Sequence, residues 1–299
     1  GIYTFSNLIN RTRRRDIGNF CLRKPKTISV NFTDNQMLLH DSLLNVISKS
    51  FSKTYKNTNP KFMMTTIQRQ AASCLYGLKP LLNSMLGKKL NDLNFAEIFN
   101  DTDLSEDASF EEIQEEIELI LKNTKNLDDN DPKLEKLKEV LLDKKTHEKN
   151  KVLLFSTFIH TLEYLFKHLS AIGLRVGLIH GSVKDTDRFT LRKKFALPKS
   201  SDDAFDVLLS SEVGCEGLDF QFCDFLINYD IPWNPMRIEQ RIGRIDRYGQ
   251  MSETVGILNF ITPGTIDADI YNRCLLRIGI FEESIGAGEE ILGSIAKEI

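Results

Sequence analysis

The stretch QRIGRIDRYGQ at 240–250 sets Arg241, Arg244 and Arg247 close together, interleaved with Ile242 and Ile245. A guanidinium is planar, permanently charged and matches phosphate oxygens in pairs, so arginines fixed at this spacing suit a phosphate clamp. The competing reading is a solvated polar face with surface ion pairs to Glu239 and Asp246, each worth little. Just upstream, WNP at 233–235 offers a helix start: Asn234 as N-cap, and Pro235 at the first helical position, where its missing N–H costs nothing. On a helix running to about 247 at ~100° per residue, Arg244 and Arg247 fall within about 40° of Gln240. Ile238, Ile242 and Ile245 cluster on the opposite side. The isoleucines would anchor the element and hold Gln240, Arg244 and Arg247 in a row away from the core. Gly243 costs such a helix about 1 kcal/mol, and makes sense if something must approach the backbone closely.

A row of this kind needs a rigid frame, and residues 151–262 supply one. VLLFST (152–157), RVGLIHG (175–181), FDVLLSS (205–211), DFLINYD (224–230) and TVGILNFI (254–261) read as short strands. They alternate with helical segments through Leu162, Leu165, Phe166 and Leu169, and through Phe189, Leu191 and Phe195. That alternation predicts an α/β fold, a parallel sheet with helices on both faces. Ligands of such sheets sit outside the carboxyl ends of the strands. The loops at Ser156–Phe158, His180–Ser182, Ser210–Asp219 and Asp230–Asn234 should therefore line one working edge.

The rest of the chain has a different texture. Residues 1–30 are basic and irregular, with RTRRR at 11–15 as a solvated turn or, less specifically, a nuclear-import patch. Residues 31–150 read as helices without strands. Thr33 or Asp34 caps a helix carrying Met37, Leu38, Leu43, Leu44, Val46 and Ile47; Ile113, Ile117, Ile120 and Leu121 share one face, and Leu134, Leu137 and Leu141 another. Residues 263–299 form helices, with Ile266, Ile270, Leu275, Ile278 and Phe281 bracing the sheet domain or meeting another one.

The chain has 299 residues, 41% hydrophobic and 27% charged, enough for one or two ordinary cores. The absence of a membrane-length apolar run or signal-like segment predicts a soluble, cytoplasmic setting. Five cysteines without a C-x-x-C pair point to reduced, mostly buried thiols rather than disulfides or a zinc site. The net charge is −3, but residues 101–121 alone hold nine acids and no Lys or Arg. Setting those nine aside leaves the remainder at +6, so a basic groove is compatible with the overall balance. The acids themselves read as the wet side of an amphipathic helix or a docking surface for a basic partner.

QRIGRIDR (240–247) resembles motif VI of helicase superfamily 2, and with WNP upstream and YGQ downstream it is similar to the Swi/Snf-type ATPases. SSEVGCEGLDFQF (210–222) resembles motif V of the bacterial branch associated with RNA polymerase. VLLFSTF (152–158) resembles motif IV, and LIHGS (178–182) the next strand-end motif, with Arg188 and Phe195 fitting the helix after it. RTRRRD (11–16) and TISVNFTDNQ (27–36) resemble the tail of a first ATPase lobe and the linker beyond it. The resemblance implies the C-terminal RecA-like lobe of an enzyme in which ATP and Mg²⁺ are held by the first lobe. It implies Arg244 and Arg247 as arginine fingers, Gln240 beside the same phosphate or the attacking water, Gly217 letting the backbone approach the nucleotide, and Asp219 on the ribose hydroxyls. Relatives usually carry Asn at the position of Asp219, which weakens that last role. Ser211 and Ser182 would contact nucleic-acid phosphates, duplex DNA being the family habit; judged alone, these serines and glycines read equally as turn chemistry. Trp233 is expected to pack against the sheet edge.

A complete ATPase also needs G-x-x-x-x-G-K-[ST] and an acidic strand-end motif. Gly87-Lys88 is followed by Lys89, and Leu82 stands where the first glycine belongs. The expectation is a second lobe plus linker, a piece of a longer protein, unable to hydrolyse ATP alone. A non-catalytic docking module for RNA or an acidic protein remains the alternative. A dinucleotide-binding oxidoreductase is excluded, because FSTFIH (155–160) lacks the glycines such a site requires.

Overall fold

The computed structural model describes residues 21–52, 59–87 and 113–274. The readings of RTRRR, of the acids at 101–112 and of Leu275, Ile278 and Phe281 lie outside these residues. Six strands, β1 (Leu22–Ser29), β2 (Val152–Phe155), β3 (Val176–Ile179), β4 (Val207–Ser210), β5 (Phe225–Asn228) and β6 (Thr254–Ile261), form one sheet in the order β1-β6-β5-β2-β4-β3. Every pairing is parallel. The helices are α1 (Asp34–Ser52), α2 (Asn59–Ser73), α3 (Leu78–Leu86), α4 (Gln114–Asn123), α5 (Pro132–Thr146), α6 (Ile159–Ala171), α7 (Asp185–Ala196), α8 (Pro235–Ile242) and α9 (266–274).

Side chains alternate across the strands, so each apolar run feeds two cores. Leu153, Phe155, Leu208 and Leu226 pack with Phe195 of α7, Ile238 of α8 and Ile270 of α9. Val152, Leu154, Leu209 and Ile227 pack with Leu137 of α5 and Leu162 and Leu165 of α6. This is a RecA-like arrangement with helices on both faces. β2 lies between β4 and β5, and the chain runs from β2 to one side of it and then to the other. Such a switch point opens a crevice at the carboxyl ends of the strands.

β1 corrects the reading of residues 1–30 as irregular. LRKPKTIS pairs with β6 from Leu22↔Thr254 to Ser29↔Ile261. Its Pro25 and exposed Lys24 and Lys26 are poor strand formers in a sheet centre, but they suit an edge, where one side needs no partner and positive charge blocks further strand addition.

The helical region forms its own cluster, with Leu43 and Ile47 of α1, Met64 and Ile67 of α2, Leu78 and Leu82 of α3, and Ile117 and Ile120 of α4. Thr33 caps α1 reciprocally: its Oγ1 accepts from the Gln36 amide at 3.2 Å, while Gln36 Oε1 accepts from the Thr33 amide at 3.0 Å. Of the apolar residues this helix carries, Met37 and Leu38 are exposed, whereas Leu39 is buried with Leu43, Val46 and Ile47. The cluster is tied to the sheet by α2, whose Gln70 Nε2 donates to Thr161 Oγ1 at 2.9 Å and whose Ser73 Oγ donates to Asp230 Oδ2 at 2.8 Å. All five cysteines are free thiols, four of them buried.

Candidate functional site

Asn234 caps α8 by accepting from the Met236 amide at 3.0 Å, and Pro235 opens the helix as expected. The helix stops at Ile242, not at about 247; Gly243 is its C-cap, its amide donating to Glu239 O at 2.8 Å. Residues 243–249 are turns and bends. Ile238, Ile242 and Ile245 are still buried behind the element, while Gln240 and Arg247 are exposed and Arg244 half-buried. The anchored row therefore exists, but its two outer arginines ride on a turn. Arg247 Nε donates to Gly243 O at 2.8 Å, which fixes that turn from within.

The loop after β4 meets this turn. Phe220 N donates to Arg244 O at 2.9 Å, and Arg244 Nη1 reaches Leu218 O at 3.5 Å. Arg247 makes an ion pair with Asp219, with both side chains more than a third exposed. Gly217 has φ +73°, a left-handed conformation that favours glycine, and nothing lies within 4 Å of where a Cβ would stand. Open space on that side suits the approach of a ligand. Gly214, not singled out from sequence, serves the fold instead: a Cβ there would sit 2.7 Å from Ile179 O at the end of β3.

Arg241 does something else. It is fully buried, with Nε on Glu212 Oε1 at 2.9 Å, and Nη1 on Asn228 Oδ1 at 3.0 Å and Asp230 O at 2.9 Å. Its guanidinium lies 5.3 Å from the centre of the Phe155 ring. One side chain thus joins the ends of β2 and β5 and the loop after β4. Asp230, also buried, accepts from Ser156 Oγ, from the Thr157 amide at 2.9 Å and from Ser73. Burial would raise its carboxyl, but the Arg241 charge and these donors outweigh burial and hold it below the ordinary range. At nearby Asp267 burial pushes the carboxyl up to about 6, despite Arg69 and Lys133. Arg241, grouped in the sequence with Arg244 and Arg247 as a possible phosphate clamp, is instead spent on this buried network; Asp230 had no assigned role, an acid closing an apolar strand being the available signal.

The two candidate serines part company. Ser182 is exposed in the turn before α7. Ser211 is fully buried, and its Oγ accepts from the Gly214 amide at 3.1 Å, so it shapes the loop rather than lying on the surface. Arg188 donates to Gly181 O and Val183 O, both at 2.8 Å, and to Val213 O at 3.3 Å, locking the loop after β3 to the loop after β4. Trp233, expected against the sheet edge, is 44% exposed and has the Arg69 guanidinium 5.6 Å from its ring centre.

Residues 132–249 match the family model for the helicase conserved C-terminal domain. The chain is 30% identical over 286 residues to a Bacillus subtilis protein described as the uncharacterized ATP-dependent helicase YqhH, a match covering 95% of this chain and 45% of that one. It is 39% identical over 126 residues to the RNA polymerase-associated protein RapA of Serratia proteamaculans, covering 41% of this chain and 12% of that one. The chain thus spans less than half the length of these relatives. The solved C-terminal part of the Fun30 ATPase domain shares the fold, with a TM-score of 0.56 at 22% identity, covering 85% of this chain and 89% of that one. The sheet order, the strand-end loops and these matches define a RecA-like helicase C-terminal domain. More narrowly, the chain is similar to Swi/Snf-type ATPases of helicase superfamily 2, and what it matches is their C-terminal lobe. Among the described residues no helix is long and apolar enough to cross a membrane.

Proposed function

We propose that this lobe supplies Arg244 and Arg247 to the γ-phosphate of an ATP held, with its Mg²⁺, by a first lobe, and that the whole protein is an ATP-driven translocase on duplex DNA. The observation that carries the reading is the placement of Arg247 and half-buried Arg244 on the same rim as Gly217 and Asp219, with three isoleucines buried behind them. Phosphoryl transfer asks little covalent chemistry of the protein; it needs fixed positive charge where negative charge develops. Gly217 leaves the backbone open to the nucleotide. Arg247 exchanges the Asp219 carboxylate for phosphate oxygens as the cleft closes, which releases Asp219 to accept from a ribose hydroxyl. Gln240, exposed one helical turn before Arg244, stands beside the same phosphate or the attacking water. Ser182 is placed to meet a nucleic-acid phosphate, whereas Ser211 would first have to leave the Gly214 amide. RNA polymerase is a candidate partner of the whole protein, by likeness to relatives named for that association.

The test is ATP hydrolysis by the intact protein with and without duplex DNA, beside the 299-residue chain alone. The reading expects DNA-stimulated turnover by the former and none by the latter. Turnover by the chain alone would overturn it, and an inactive intact protein that binds RNA or an acidic protein would return the docking-module alternative.

A further inference from the structure

The two acids that neighbour the finger arginines in sequence, Glu239 before them and Asp246 between them, are not spent on those arginines. Both turn the other way, to Arg23 on the edge strand β1. Arg23 Nε meets Asp246 Oδ2 at 2.5 Å, and Nη1 meets both oxygens of Glu239 at 3.1 and 3.2 Å. The Arg23 side chain is only 7% exposed, and that of Asp246 not at all. Cys21 Sγ adds a bond to Asp246 Oδ1 at 3.1 Å. Burial would lower the Arg23 pKa, but the two carboxylates outweigh burial and raise it, so the charge stays on.

From these contacts we propose that Arg23 is a positioning residue for the finger turn, an inference that rests on the role given above to Arg244 and Arg247. One guanidinium fastens both ends of the element: Glu239 in α8, and Asp246, which directly precedes Arg247 and lies two residues after Arg244. Arg241 holds the same element from the inside of the sheet through Glu212 and Asp230, so the turn is fixed from two sides by different arginines. Arg23 also keeps the two carboxylates closest to the fingers in sequence off their guanidiniums, so that an incoming phosphate has only the exposed Asp219 pair of Arg247 to displace. Preorganised charge of this kind loses effect steeply with misplacement, an ångström costing about 100-fold in rate.

The experiment uses the intact protein. Arg23→Ala is expected to lower the kcat of DNA-stimulated ATP hydrolysis on the order of 10- to 100-fold, with the KM for ATP and the affinity for duplex DNA within about twofold of wild type. Arg23→Lys keeps the charge but not the fork and should recover part of the loss. The deciding readout is a double-mutant cycle with Arg247→Ala under single-turnover conditions. A residue acting through the finger adds little once the finger is gone, under about threefold. An equal loss from Arg23→Ala in both backgrounds, a parallel rise in KM, or wild-type turnover would overturn the proposal. If Arg247→Ala alone leaves kcat intact, the finger reading fails first, and the cycle shows it separately. Should Arg23→Ala not fold, Glu239→Gln removes one arm at a partly exposed partner; it should still lower kcat about threefold or more, and unchanged turnover would again overturn the proposal.

Discussion

Asp219 and Arg247 occupy each other at the rim, and in the proposed function both turn to the nucleotide. An exposed pair of this kind contributes at most about 1 kcal/mol, so a triphosphate can displace it. Asp219→Asn keeps a hydrogen-bonding group but frees Arg247 from its counter-charge. In the intact protein this substitution should leave kcat/KM for ATP unchanged or raise it by up to about fivefold, measured at low ATP. A fall would mean that the carboxylate itself, not its release of Arg247, is what the nucleotide uses. At this scale what could be read from sequence was placement, Arg247 on an exposed rim and Gly217 at an open turn. It was unreadable for Arg241, Asp230 and Arg23, because nothing in a local pattern distinguishes a charge spent on phosphate from one spent on a carboxylate that only the fold brings near.

The elements divide along a similar line. β2 to β6 announced themselves as apolar runs between turn residues because each is buried on both faces. β1 did not, since an edge strand is selected for charge and proline rather than for apolar continuity. α8 was read about one turn too long: a helical wheel continues through Gly243, whereas the backbone ends there on a C-cap glycine. The consequence for energetics lies in Arg241. Its removal would leave Glu212 and the fully buried Asp230 without their cation, and breaking a buried pair by deleting one partner costs about 3–5 kcal/mol. Arg241→Ala should therefore lower the urea midpoint of the chain sharply, whether or not ATP is present. A midpoint within experimental error of wild type would show that the network is relaxed by water and holds little.

On the scale of the molecule, the described residues form a RecA-like sheet domain with a helical cluster fastened to its working edge by Gln70 and Ser73 of α2. The acid that Ser73 reaches, Asp230, is the one that also holds Arg241, so the cluster and α8 share a buried junction. In the proposed function nucleotide binding falls chiefly to another lobe and charge stabilisation to this one. Binding and turnover should then separate under mutation, which makes Arg247→Ala in the intact protein the most direct measurement, with ATP affinity and hydrolysis followed on one preparation. The account predicts hydrolysis reduced by about 1,000-fold or more with ATP affinity within a few-fold of wild type. Affinity falling as far as hydrolysis, or hydrolysis left intact, would contradict it.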